Sequence, residues 1–345
     1  MPDKSQQLYL NFDEYIRQGE PNASASAEQW QTAIGLQAVD GLKPSQYLID
    51  TARRNIVGEI TIEEVQSLLR TYYASAENRN QNEDMEEADK ASANIKRILS
   101  TNTLDFTTNG YIATHRRIFE GVMKHAGELR QYDIEKKEWV LRGDTVHYLN
   151  WEDLRRALDY DIQQEREFSY RGLTPDQKVA HLCRFTSGLW QIHAFCEGNT
   201  RTTAVFLIQY LRSIGYAVNN DLFARHSWYF RNALVRANYK NSDLGIDYDF
   251  RYLELFFRNL LLGEQNELKN RYLHLDWEST QELIKTTQEK ILDEIRLHPE
   301  TTRNRLAELI GVTPDAIKKQ LDKLRAVGRI QHLGATKKGY WKIIK

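Results

Sequence analysis

Apolar residues recur at helical spacing along most of this 345-residue chain, and strand-like alternation is confined to two places. In SQYLIDTARRNIV, Tyr47, Leu48, Ala52 and Ile56 share one helix face; in ITIEEVQSLLRTYY, Val65, Leu68, Leu69 and Tyr72 do the same. With Gly41, Pro44 and Gly58 as punctuation, residues 28–74 read as two or three short helices. Residues 75–90 are polar and acidic with no apolar face, which suits a solvated linker or the start of a charged helix. The aromatic and apolar mass lies in residues 91–263. There RTTAVFLIQYLRSIG is apolar around most of its circumference, the pattern of a helix at the centre of a domain. EWVL and TVHYL flank Arg142-Gly143-Asp144 and predict a β-hairpin. Near the C-terminus, EKILDEIRLHP, TRNRLAELIGV and TPDAIKKQLDKLRAVG read as three helices, followed by the short strands RIQHLG and GYWKII. Gly311-Val312 makes the turn before the third of these helices, which Thr313, Pro314 and Asp315 begin. That order is a winged helix-turn-helix, with Asp315, Lys318, Lys319 and Asp322 on the polar face of its recognition helix.

The reading is therefore a mainly α protein in four stretches: a helical cap at 1–78, a central domain at 79–265, a linker helix at 266–284 and a winged helix at 285–345. Composition changes this picture in only a few respects. A net charge of −1 gives the whole chain no reason to seek nucleic acid, but residues 285–345 hold 14 Lys and Arg against 7 Asp and Glu. Such a basic footprint suits DNA phosphates, although winged helices also serve as protein-interaction modules. Two cysteines, Cys183 and Cys196, cannot frame a chain of this size with disulfides, and the N-terminus has no basic stretch followed by an apolar core. No apolar run approaches the roughly 20 residues that span a bilayer. The expectation is a cytoplasmic protein with no membrane partner.

Candidate chemistry concentrates in Trp190–Thr203. Gly198 and Asn199 precede the apolar helix, so its unpaired amides and positive dipole end form an anion site, and Arg201 in the first turn adds a fork for phosphate oxygens. Glu197 would repel a phosphate unless a divalent cation lies between them, and Mg²⁺ takes one or two carboxylates together with phosphate oxygens. His193 then suits a general base for an attacking hydroxyl, and Phe195 a core anchor for the loop. A zinc helix of HExxH type lacks its second histidine and internal glutamate here. Cys196 reads as structural.

The run HAFCEGNTR resembles the Fic signature, His-x-Phe-x-[Asp/Glu]-Gly-Asn-[Gly/Lys]-Arg. The resemblance implies a Fic fold that transfers AMP from ATP, with Mg²⁺, onto a Tyr, Thr or Ser hydroxyl of a target protein, this chain itself included. It implies that His193 deprotonates the hydroxyl, that Glu197 holds the metal, and that Gly198, Asn199, Thr200 and Arg201 cradle the phosphates. HRRIFEGVMKHAGELRQYD resembles the segment before the Fic flap, which places the 138–149 hairpin as that flap. WYFRNALVRAN is similar to a later helix of the adenine pocket, with Asn238 or Phe230 as contacts. Three positions depart from the family: Ala194 for the usual Pro, Thr200 for Gly or Lys, and Ala204 where many members carry a second Arg for the γ-phosphate. Two alternatives therefore stay open: a different nucleotide or phosphate donor on the same fold, or a DNA-binding regulator whose Fic core is not catalytic.

VDGLKPSQYLIDTARRNIVGEITIEEV resembles the small helical antitoxins that inhibit Fic domains, fused here in the same chain. Their inhibitory motif falls on Leu36 and Asp40-Gly41. Because the acid is an Asp and its expected partner is Ala204, both halves of the charge clamp are altered, and the cap is expected to cover the site without a strong ion pair. A homodimer is left open.

Overall fold

Ser45 accepts the Leu48 amide and Thr61 forms a capping box with Glu64, so the two N-terminal periodic segments start where their caps stand. The computed structural model describes residues 12–18, 21–75, 83–101, 103–218, 221–276, 287–310, 312–334 and 339–344. The N-terminal helices are α1 (Asp13–Gln18), α2 (Pro21–Gly35), α3 (Gln46–Ile56) and α4 (Ile62–Ala74), with a 3-10 turn at Leu36–Asp40. They bury Trp30, Ile34, Leu48, Ile49 and Leu69 together with Ala93 of α5 (Glu83–Leu99). The acidic run at 75–90 thus becomes, from residue 83, the start of a packed helix; residues 76–82 lie outside the described residues. Asp89 on α5 is wholly buried and accepts hydrogen bonds from the Ser45 amide (2.8 Å), the Ser45 hydroxyl (2.5 Å) and the Tyr73 hydroxyl (2.7 Å). Burial pushes its carboxyl up to about 6 against the pull of those three donors.

Next in the chain come α6 (Thr108–Phe119), α7 (Leu154–Glu167), α8 (Pro175–Ile192), α9 (Asn199–Ser213), α10 (Asp221–Ala237) and α11 (Arg251–Leu262). α9 is the helix that reads as apolar all round, and every residue from Asn199 to Leu211 is buried. Each fully buried Val, Leu, Ile or Phe there contributes about 1.5–3 kcal/mol, so this helix fixes the position of whatever precedes it. The chain divides into two compact units, residues 1–274 and 275–345, so the N-terminal helices and the α6–α11 region pack as one body. Within it the 36–40 turn is packed against α5, α9 and α10.

In the second unit, α12 (Thr287–Leu297), α13 (Arg303–Ile310) and α14 (Pro314–Ala326) precede the antiparallel pair β1 (Ile330–Leu333) and β2 (Tyr340–Ile343). Ile291, Ile295, Leu306, Ile317, Leu321 and Ile330 close its core. Thr313 caps α14 through the Ala316 amide and Pro314 fills its first turn, as the sequence indicates; Gly311 lies outside the described residues. Of the expected linker helix, the structure shows a 3-10 turn at Asn270–Leu273, and residues 277–284 lie outside the described residues. Fourteen α-helices against one two-stranded sheet make the described fold mainly α. Among the described residues no helix is long and apolar enough to cross a membrane.

The flap differs in detail from a laddered hairpin. The chain does reverse at Arg142 and Gly143, both with positive φ (59° and 86°), and the Glu138 amide reaches the Asp144 carbonyl at 2.9 Å. Trp139–Leu141, however, form a 3-10 turn. In–out alternation runs as far as Val140 but with Glu138 on the inner side, in an ion pair with Arg231 of α10, and Trp139 half exposed; it breaks at Leu141, which is buried beside Val140.

Candidate active site

Two buried anchors bring the site residues together. The Phe195 ring is fully buried, 3.8 Å from the His115 ring and nearly parallel to it. The His115 Nε2–H donates to the Glu197 carbonyl at 3.1 Å, because its Nδ1 already accepts the Gly127 amide at 2.8 Å. Burial holds this imidazole down at about 4, so it stays neutral and keeps both bonds near neutral pH. The second anchor is Arg130. Its buried guanidinium donates to the carbonyls of His193 (2.8 Å), Ile192 (3.4 Å), Tyr132 (2.7 Å) and Leu149, and its amide donates to the Ala194 carbonyl at 3.0 Å. One side chain thus ties the end of α8, the loop after it and both roots of the flap.

That loop turns sharply. His193 terminates α8 in the left-handed region, at φ 48° and ψ 56°, a conformation that costs a residue with a Cβ about 1–3 kcal/mol. Its imidazole lies 4.0 Å from the Tyr148 ring and edge-on to Trp190 at 5.2 Å, 4% exposed, and both ring nitrogens are buried without a hydrogen-bond partner. Burial, with Lys136 as the next cause, holds its pKa well below the ordinary histidine value, so the ring is an unprotonated base.

Gly198 caps α9 with φ 73°, and a Cβ there would stand 2.3 Å from the Phe119 ring, so only glycine allows the loop to enter the helix this closely. The Asn199 side chain exchanges bonds with the Phe195 amide (2.9 Å) and carbonyl (2.7 Å), and the Thr200 hydroxyl accepts the Trp190 indole at 2.9 Å. Both side chains shape the loop, which leaves the first-turn amides as the groups of this helix end able to meet an anion. The Glu197 carboxylate is more than half exposed and pairs with Lys136, two residues before the flap, at 3.0 Å. Among the described residues there is no cluster of three or more His, Cys, Asp or Glu fit for a metal. One exposed carboxylate just before a helix N-terminus nevertheless suits Mg²⁺, which takes one or two carboxylates and completes its shell with phosphate oxygens and water.

Arg201 corrects the expectation for the cap. Its guanidinium is 1% exposed and lies 4.7 Å from the Phe119 ring centroid. Nη1 donates to Gln37 (2.9 Å) and Nη2 to Glu87 (2.6 Å), while Nε stands 2.8 Å from Asp40 Oδ2, an ion-pair distance off the N–H line. Asp40 therefore does have a cationic partner: Arg201 in the first turn of α9, one helical turn before the buried Ala204. Gly41 closes the turn behind it at φ 73°. Glu87, from the acidic run, and Gln37 carried no periodic or motif signal in the sequence. Asn238 lies at the end of α10, its amide donating to the Ser187 (3.2 Å) and Leu234 (2.9 Å) carbonyls, and Phe230 packs on Phe223 and Phe256 in the core. These contacts account for both residues by packing.

Residues 105–211 match the Fic/DOC family, and residues 284–331 match the winged helix-turn-helix DNA-binding family. The chain is similar to the protein adenylyltransferase VbhT of Bartonella schoenbuchensis, 28% identical over 163 residues, covering 47% of this chain and 32% of that protein. It is also similar to the probable protein adenylyltransferase Fic of Salmonella typhimurium, 27% identical over 118 residues, 34% of this chain and 55% of that protein. The chain thus spans only 32% and 55% of the lengths of these curated relatives. Among solved structures it is similar to a Fic family protein from Desulfovibrio desulfuricans G20, with a TM-score of 0.41 and 13% identity over 100% of this chain and 97% of that one.

Proposed function

We propose that this chain, which carries a Fic/DOC domain and a winged helix-turn-helix, is an adenylyltransferase that moves AMP from ATP to a protein hydroxyl and is restrained by its own N-terminal helices. The observation that carries the reading is His193: an unprotonated imidazole with both nitrogens unspent, at the mouth of a helix N-terminus built for anions. In the proposed step His193 takes the proton of the target hydroxyl, its oxygen forms a bond to the α-phosphorus, and the bond to the bridging oxygen breaks to release pyrophosphate. First-turn amides of α9 face the phosphate oxygens, and Glu197 would hold Mg²⁺ once Lys136 moves aside. Bound Mg²⁺ would neutralise phosphate charge and fix the oxygens in place. Purified protein with Mg²⁺ is expected to transfer label from α-labelled ATP to itself or to a partner protein. Label arriving from the γ-position instead would mean a different phosphate chemistry on this fold, and no transfer from any nucleotide would leave a regulator.

Restraint follows from Arg201. Asp40, Glu87 and Gln37 occupy the guanidinium that would otherwise reach the donor; the charge-assisted hydrogen bonds to Glu87 and Gln37 are each worth about 1.5–3 kcal/mol, and Asp40 adds an ion pair. Asp40→Asn combined with Glu87→Gln keeps the shapes and removes the charges. The initial transfer rate is expected to rise about 10- to 100-fold. A rate equal to that of the parent chain would dispose of the brake.

We further propose that residues 275–345 bind DNA, because α14 exposes Lys318, Lys319, Lys323 and Arg325 in a domain matched as DNA-binding. Anisotropy with a labelled duplex should then show affinity falling steeply with salt, by about 0.9 in log–log slope per phosphate contacted. A flat salt response would make the domain a protein-docking module.

A further inference from the structure

A triphosphate donor brings three to four negative charges, and the first turn of α9 supplies a single arginine, Arg201, for them. Other cations near the site are therefore informative, and Arg231 on α10 stands out by its position. Past a kink at His226, the Ser227 hydroxyl donates to the Gly35 carbonyl at 2.7 Å, and a Cβ on Gly35 would fall 2.4 Å from the Ala224 backbone. α10 is thus pressed against the end of α2, where the 36–40 turn begins. Arg231 is one turn beyond Ser227 on the same helix face, which sets it beside the turn that ends in Asp40. On its other side the guanidinium forks onto Glu138 of the flap, at 2.6 and 3.0 Å. Glu138 is 1% exposed and also accepts the Tyr148 hydroxyl at 3.3 Å, and the Tyr148 ring lies against His193. Charges on Arg231 and Asp40 act on one another, and Arg231 also acts on the His193 ring. Arg231 is thus joined through Glu138 and Tyr148 to the base, and it lies on the helix that packs against the 36–40 turn carrying Asp40.

We propose that Arg231 is a second phosphate-binding arginine, gripping the terminal phosphates of the donor across from Arg201, with Glu138 as its counter-ion while the site is empty. In this proposal a terminal phosphate displaces Asp40 from Arg201 and Glu138 from Arg231, and bidentate contacts to phosphate are what such guanidinium forks favour. This rests on the transferase reading for its donor, but its test reads binding alone. ATP, ADP and AMP affinities are measured by calorimetry on the full chain with Mg²⁺, in an Asp40→Asn background that opens the clamp. Arg231→Gln is expected to weaken ATP about 10- to 100-fold while AMP stays within about twofold. Glu138→Gln, which removes the competing carboxylate, is expected to tighten ATP several-fold and leave AMP unmoved. Because Arg231→Gln strips Glu138 of its partner and can unfold the flap, the Glu138→Gln result stands as an independent arm. Equal losses for all three nucleotides, or no gain in Glu138→Gln, would reduce Arg231 to a structural counter-ion and overturn the proposal. Intact ATP-over-AMP preference without any transfer would sink the transferase reading and leave this one standing. If no nucleotide binds at all, both fall.

Discussion

Replacing His193 by alanine is expected to slow transfer from α-labelled ATP by about 10²–10⁴-fold while leaving ATP affinity within about twofold. The ring is walled by Tyr148 and Trp190 and makes no hydrogen bond in the resting site, so its removal leaves no polar partner stranded. What disappears is the acceptor for the hydroxyl proton. The pH profile supplies an independent check. Burial and the Lys136 charge hold the imidazole pKa well below its ordinary 6.5, so the base remains unprotonated as pH falls from 8 to 6.5. The parent rate should therefore be flat over that interval, with an acid limb only at lower pH. An acid limb centred at 6.5 would mean that an exposed histidine does the work.

Much of this architecture is legible because it is local. The all-round apolar run of α9 leads directly to a wholly buried helix, and the Gly-Asn before it to a cap at which a Cβ would strike Phe119. Thr313-Pro314 sets the start of α14 for the same reason. What the sequence conceals is non-local pairing. Asp40 matches an inhibitory position by spacing, but which arginine it meets depends on how the 36–40 turn settles against α9. Glu87 looks like one more solvated acid until α5 carries it to Arg201, 114 residues away. The flap shows the same effect: EWVL has a strand's composition, but the sequence does not show that the inward-facing carboxylate of Glu138 meets Arg231, 93 residues away.

Arg130→Met is expected to cost about 3–5 kcal/mol of stability and to abolish most transfer, though Arg130 touches no reacting atom. Methionine keeps much of the buried volume but leaves the carbonyls of His193, Ile192, Tyr132 and Leu149 without their shared donor. Buried carbonyls without donors each cost about 1–3 kcal/mol, part of which relaxation and water recover. The local consequence is sharper than the global one. His193 occupies a left-handed conformation that its own Cβ disfavours, and the Arg130 bond to its carbonyl is a principal contact opposing its return to an extended backbone. Once that bond is lost, the loop before Gly198 can relax, moving the imidazole away from the helix end it serves. Thermal unfolding gives the stability change. Transfer assayed well below the new midpoint separates misplacement of the base from unfolding: a folded variant with undiminished rate would show that His193 holds its place without the arginine.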